Sequence, residues 1–395
     1  MNMHAALSAL GVVLVLAVGG SAAADVLPDN PFPAPVATPP AKIVKSGYKA
    51  VEVASGLDHP YSIAFLPDGS MLVTERIGRL RTIKDGKLQS LPIAGVPPVH
   101  IGSQAGLFDV VLHPNFAQNS FLYLTYASGT AAANGMRVAR ARFDGAALQD
   151  LKVIFEAAPL KDTNNHYGGR MAFLPDGSFA LTIGDGFEYR EKAQDLSSHF
   201  GKIVRLKDDG SVHPDNVFIN QPNARPEIYT RGHRNEQGLT FDVALDSLIE
   251  TEHGPKGGDE LNIILPGRNY GWPVITYGMD YSGAYVSPYT ERPGMSQPIL
   301  QWTPSIAPSG LAVYRGDKFP AWVGDVFVGS LAFKHLRRVD LDVEGNVVGQ
   351  EELLTDLGAR IRDVRTGPDG YLYVTTDYGA NDRPSGRVLR LEPAP

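Results

Sequence analysis

The sequence predicts an all-β protein, a six-bladed β-propeller of four-stranded antiparallel blades, and three observations carry that prediction. Glycine and proline number 42 and 30 among 395 residues and are spread along the chain, which favours many short strands and tight turns over long helices. Aromatic and β-branched residues alternate with period two, as in Phe121-Leu122-Tyr123-Leu124-Thr125 and Tyr371-Leu372-Tyr373-Val374-Thr375. A phrase also recurs: two apolar residues, a Pro-Asp-Gly-like turn, then an alternating strand. It stands at Ala64 to Thr74, Val111 to Asn115, Ala172 to Thr182 and Thr366 to Thr375, with weaker copies at Thr240-Phe241-Asp242 and Gly310 to Tyr314. Six copies in about 350 residues give a unit of roughly 50–60 residues, the size of a four-stranded blade with its loops. A large β-sandwich or β-helix is the second choice, and long, variable repeats suit it less well.

Along the chain, residues 1–24 read as a signal peptide. An apolar run from Leu7 to Val18 is followed by Ser-Ala-Ala-Ala before Asp25, although no Lys or Arg precedes the run. The run is shorter than the roughly 20 residues a membrane helix needs, so export to the periplasm with no membrane span in the mature chain is expected. Residues 25–42 form a proline-rich linker that cannot pair into a sheet. Residues 43–395 form the propeller.

Composition narrows the chemistry. A formal charge of -7 argues against a nucleic-acid partner, and the one basic cluster, His335-Leu336-Arg337-Arg338, reads as an exposed strand segment. With no cysteine there is no disulfide, thiolate metal site or cysteine nucleophile, so redox chemistry would need a bound cofactor.

Two stretches carry candidate chemistry. In Asn164 to Asp185, a hairpin centred on Pro175-Asp176-Gly177 returns its ends to one side of a sheet, placing His166 near Asp185. An acid orienting a histidine is a general-base arrangement. From Ile228 to Trp272, Arg234 and Asn235 follow a strand, and Gly254-Pro255 is followed closely by Asp259 and Glu260. A glycine-rich turn with carboxylates suits a hard cation such as calcium, and such turns also occur as solvated loops. His253 has no second histidine at ligand spacing. Further on, Lys334, Arg360 and Arg362 supply cations, with Arg360 and Arg362 on one strand face, either for an anionic ligand or as a solvated edge.

In this order, the motifs Gln104-Ala105-Gly106-Leu107, Asn165 to Arg170, Thr182 to Asp185, Gly232 to Asn235, Glu252 to Pro255, Asn269 to Pro273 and Arg360 to Val364 carry a resemblance. From about Gly56 to Leu391 the chain resembles the soluble pyrroloquinoline-quinone-dependent sugar dehydrogenases, in particular their periplasmic aldose sugar dehydrogenase branch. The resemblance implies a six-bladed propeller with the quinone (PQQ) at one rim. It implies His166 as the base for the anomeric hydroxyl, Asp185 as its orienting acid and Arg234 as stabiliser of charge on the quinone oxygen. Lys334, Arg360 and Arg362 match quinone-binding positions, with Gln104, Asn235 and Tyr281 as neighbours. Calcium would sit on the carbonyls of Gly254 and Pro255, and Glu260 and Tyr270 match a further, structural calcium site. Two departures stand out. His253 replaces a glutamine of the glucose-specific branch, and long inserted loops are missing, which favours a monomer with an open site and broad aldose use.

Two readings from other classes accompany this one. A calcium-dependent lactonase or other hydrolase needs acidic side chains converging on the cation and does not need the Lys334, Arg360 and Arg362 set. A non-catalytic sugar-binding propeller would depend on aromatic platforms and not on His166. The absence of a GxGxxG opening a helix after a strand argues against a nicotinamide site. The preferred sugar and the electron acceptor depend on rim shape, which the sequence does not encode locally.

Overall fold

The structure, a computed structural model, describes residues 47–378 and 385–394. The expected signal peptide and linker, residues 1–24 and 25–42, lie outside the described residues, as does the start of the segment 43–395. Within the described residues the chain forms six four-stranded sheets, each antiparallel throughout. The first strand, β1 (Tyr48–Leu57), does not open blade one but pairs with the last strand of the chain.

Blade one comprises β2 (Pro60–Phe65), β3 (Met71–Glu75), β4 (Arg79–Lys84) and β5 (Lys87–Leu88), and blade two β6 (Leu107–Leu112), β7 (Phe121–Thr130), β8 (Ala133–Phe143) and β9 (Leu148–Glu156). Blade three comprises β10 (Met171–Phe173), β11 (Phe179–Ile183), β12 (Lys202–Leu206) and β13 (Ile228–Arg231). Blade four comprises β14 (Glu236–Asp242), β15 (Ser247–Glu252), β16 (Asp259–Ile264) and β17 (Leu300–Trp302). Blade five comprises β18 (Pro308–Val313), β19 (Val326–Ser330), β20 (Leu336–Leu341) and β21 (Val347–Leu353). Blade six runs β22 (Arg360–Thr366), β23 (Leu372–Asp377), β24 (Gly386–Pro393) and then β1, so the two ends of the described chain close the ring. Ring closure leaves only short edges.

Each copy of the recurring phrase falls in the first strand, or the first hairpin, of one blade. The alternation places one face of each blade against each neighbour, and the core divides accordingly into six apolar seams. Between blades two and three, for example, Phe108, Tyr123 and Phe155 meet Phe179, Leu181 and Val204. Between blades three and four the seam is formed by Ala180, Ile203 and Tyr229 against Leu239, Leu248 and Ile264.

The innermost strands meet in a buried ionic pin. Arg170, just before β10, pairs with Asp363 of β22 at 3.0 Å, and its Nε donates to the carbonyl of Gln237 on β14 at 2.8 Å. Arg365 donates to Asp363 and to Asp109 of β6, both at 3.0 Å. The backbone N–H of Ile63 on β2 donates to Asp363 at 3.1 Å. On β18, Gly310 leaves the necessary room, since a Cβ there would lie 2.0 Å from Asp363 Oδ1. All six blades therefore touch one network, on which the site residues are hung.

One reading needs correction. The His335-Leu336-Arg337-Arg338 cluster is not an exposed segment: His335 and Arg338 are buried, Arg338 pairs with Asp325 and Glu351, and Arg337 with Glu352. No helix of the described residues is long and apolar enough to cross a membrane.

Candidate active site

His166 stands in the loop that enters blade three, and Asp185 directly follows β11 on the same blade. The β10–β11 hairpin returns the chain as the sequence predicts, and His166 Nδ1 lies 2.7 Å from Asp185 Oδ1. Two features permit that approach. His166 takes a left-handed backbone conformation, φ 50°, and the next strand passes so close that a Cβ on Gly184 would lie 2.6 Å from the His166 carbonyl oxygen. The His166 backbone N–H donates to Gln104 Oε1 at 2.8 Å, so the sequence-predicted Gln104 holds the His166 backbone from blade two's entry loop.

Asp185 is fully buried and accepts from two further donors, Trp272 Nε1 at 2.8 Å and the Phe187 N–H at 2.8 Å. Burial raises its pKa, but the His166 ring, the Arg234 charge and the Phe187 N–H outweigh burial and hold the carboxyl below the usual range. An ionised Asp185 requires a proton on His166 Nδ1, which leaves the lone pair on Nε2. Burial pushes the His166 pKa down, Asp185 opposes this, and Arg234 adds to the lowering, so the imidazole is neutral at pH 7. Nδ1 makes the imidazole's one hydrogen bond among the described residues, and Nε2 is left as a free base.

Arg234 lies across from this pair. Its Nη1 donates to the carbonyls of His253 and Gly254 at 3.0 and 2.8 Å, and the guanidinium stacks over Trp272 and Tyr281 at 5.3 and 5.9 Å. Phe187 and Tyr281 are exposed, their ring centroids 6.5 Å apart, and the Phe187 ring stands edge-on to His166 at 5.1 Å.

Beside the base a cavity of about 490 Å³ opens over the centre of the ring. Gln104, Asn235, Arg360 and Arg362 of the sequence-predicted set line it, joined by Arg76 and His253. Burial lowers Arg362 to about 10 against the opposing charge of Asp377, so it stays cationic at neutral pH. Asn235 Oδ1 accepts from Gly168 N–H and Gln237 Nε2, both at 3.3 Å. Lys334 is exposed on the loop between β19 and β20, whose Leu331 lines the cavity and accepts from Arg360 Nη1 at 3.4 Å. Burial and Arg234 hold His253 down to about 3, and its Nε2–H donates to the Pro308 carbonyl at 2.6 Å.

The remaining predicted residues gather elsewhere. Gly254, Glu260 and Tyr270 line a separate cavity of about 10 Å³, with Glu252 and Trp272, room for one water or ion. Pro255 follows Gly254 directly. The Tyr270 hydroxyl is committed to Ile263 O and Leu265 N–H, so only its carbonyl is available to a cation. Sequence reasoning gave no role to Trp272, Phe187, Arg76 or Gln237. Trp272 lay within a quoted motif, but its contact with Asp185 spans two blades.

A six-bladed propeller with an acid-oriented histidine beside an arginine-lined cavity over its axis defines a class of site, and comparison places it. The profile of Glucose / Sorbosone dehydrogenase matches residues 57–390, and the chain belongs to that family. Aldose sugar dehydrogenase YliI of Escherichia coli K12 is 43% identical over 348 residues, covering 85% of this chain and 91% of that one. The apo-form structure of the soluble aldose sugar dehydrogenase from E. coli superposes with a TM-score of 0.84 at 41% identity, covering 88% of this chain and all of that chain (100%). The PQQ-bound aldose sugar dehydrogenase from Streptomyces coelicolor does so with 0.72 at 30% identity, covering 90% and 99%.

Proposed function

We propose that the protein is a PQQ-dependent aldose sugar dehydrogenase that oxidises the anomeric carbon to a lactone and passes electrons to an external acceptor. The observation that carries this reading is the free Nε2 of a neutral, Asp185-oriented His166 beside a cavity walled by fixed cations.

The residues present fit the cofactor. A planar tricarboxylate needs several cations in one open cavity, and Arg360 and Arg362 stand there with Lys334 on the adjoining loop. Gln104, Asn235 and Tyr281 would flank the quinone. Gly254 and Pro255 would offer carbonyls to its calcium, and the Gly254 carbonyl already faces Arg234. Glu260 and the Tyr270 carbonyl would hold a structural calcium at the small cavity, an all-oxygen donor set of the kind that ion prefers. When bound, the quinone supplies a two-electron acceptor for hydride from the anomeric carbon, with calcium as Lewis acid upon it.

The chain's own part is proton chemistry and positioning. His166 Nε2 accepts the proton of the anomeric hydroxyl, and Asp185, held ionised by Trp272 and Phe187, stabilises the imidazolium. Arg234, anchored on two carbonyls, provides preorganised positive charge. Phe187 and Tyr281 provide apolar faces at an open mouth, consistent with broad aldose use. A monomer exported to the periplasm completes the proposal.

A lactonase needs carboxylates converging in the open cavity. Among the described residues its lining is instead cationic, and the one carboxylate there, Asp377, is engaged by His59 at 2.7 Å and Arg362 at 3.8 Å. The reading is tested by dye-coupled oxidation of glucose and other aldoses by the purified protein, with and without added PQQ and calcium. Turnover only with both supports it. Failure to bind the quinone would bring the hydrolase forward.

A further inference from the structure

The seam between blades three and four changes character along its length. Near the outer turn, Leu248 and Ile264 pack against Ile203 and Tyr229. Two and four residues further along β15 the same face carries Glu250 and Glu252, and on β16 it carries Asn262 and Glu260 in register with them. Glu236 of β14 stands directly opposite Glu252. His233 enters from the connection between blades three and four, its ring stacked on Tyr270 with centroids 4.8 Å apart. Glu236, Glu250, Asn262 and His233 are completely buried, and Glu252 is 4% exposed.

Every atom left without a partner in this cluster is an acceptor: both oxygens of Glu236, Oε1 of Glu250 and Oδ1 of Asn262. The nearby donors face elsewhere. Asn262 Nδ2 serves Glu250 and Glu260 at 3.1 and 3.2 Å. Lys202 Nζ donates to the carbonyls of Lys192, Ala193 and Phe200 at 2.7–2.9 Å, and Arg234 Nη1 to those of His253 and Gly254. Buried carboxylate oxygens left so are costly unless a cation or protons reach them.

The spacing of the ligand atoms accommodates a cation. One nitrogen of His233 and one oxygen each of Glu250 and Glu252 all lie within 4.8 Å of one another. His233 Nδ1 is 3.3 Å from Glu252 Oε1, close to the about 3.4 Å separating two tetrahedral ligands each about 2.1 Å from one ion. The other ring nitrogen is oriented by Thr230 Oγ1 at 2.9 Å, the outer contact that metal-ligating histidines make.

We propose that His233, Glu250 and Glu252, with Asn262 and Glu236 beside them, form a buried site for one divalent cation of mixed nitrogen and oxygen preference, zinc or manganese. The imidazole sets it apart from calcium, which takes oxygen ligands only. The site adjoins the small cavity of Glu260 and Tyr270, which Glu252 also lines, while Glu236, Glu250 and His233 do not line that space. Glu252 Oε2 accepts the backbone N–H of Arg234 at 2.5 Å, so an ion here would brace the segment that carries Arg234.

The test needs neither quinone nor turnover, so it stands apart from the dehydrogenase reading. The full chain is produced without PQQ in medium containing zinc and manganese, purified in excess calcium, and analysed for metal by mass spectrometry. Crystals are then measured at the zinc and manganese edges. One equivalent of zinc or manganese, with anomalous density between His233, Glu250 and Glu252, is expected. Glu250→Gln should weaken uptake by about 100-fold and abolish the rise in Tm on metal addition. No bound ion in the native protein, or an ion located elsewhere, would overturn the proposal. So would uptake unchanged in Glu250→Gln, and if that variant fails to fold, the native crystal alone decides.

Discussion

The protonation state of His166 follows from a contest of charges. Burial and Arg234 disfavour the imidazolium, and Asp185 at 2.7 Å favours it, with burial prevailing. As the proposed base, His166 is therefore expected to be active above a pKa lower than the ordinary 6.5 and to be lost as pH falls through that value. The acid limb of kcat/KM, measured from pH 4 to 8, should fall below pH 6.5. His166→Ala should retain PQQ, read by its absorbance, and lose about 10²–10⁴-fold in turnover, the usual contribution of a positioned base. Asp185→Asn should lose a similar factor, with its acid limb displaced further down, because the neutral amide no longer favours the imidazolium. At this scale the sequence was legible where distance along the chain is short. His166 and Asp185 are joined by one hairpin, whereas the Trp272 donor lies 87 positions from Asp185 and only blade packing brings them together.

Strands and turns were legible through their period and punctuation, and each of the six recurring phrases marks the start of one blade. The basic cluster on β20 was misread because a run of cations looks solvated until its partners are known. Asp325 and Glu351 each lie 13 residues from Arg338, the first just before β19 and the second on β21. Backbone proximity was likewise invisible. Gly184 sits where any side chain would strike the His166 carbonyl. Gly184→Ala should therefore displace the base, lowering kcat by more than tenfold while costing only about 1–3 kcal/mol in urea unfolding, the range for overpacking a tight site. Equal losses in Tm and activity, restored together by stabilising solutes, would show that the glycine serves folding alone.

Over the whole molecule, one ionic pin joins six blades, and β1 with β24 closes the ring. Asp363→Ala would leave the buried Arg170 and the half-buried Arg365 without the carboxylate they share, a loss of about 3–5 kcal/mol for a broken buried pair, visible as a lowered Tm. That pin was not legible in the sequence, because Asp109, Arg170 and Asp363 come from three separate blades. The same architecture delivers Gln104 from the entry of blade two, His166 and Asp185 from blade three, Arg234 and Asn235 from the turn into blade four, and Arg360 and Arg362 from blade six. Stopped-flow reduction of the PQQ- and calcium-loaded protein with glucose, comparing native protein with His166→Ala, measures catalysis by this set. Rapid bleaching of the oxidised quinone by native protein, slowed by about 10²–10⁴-fold in the variant at equal quinone occupancy, is the predicted result. Equal rates in the two proteins would contradict the assignment of His166 as the base.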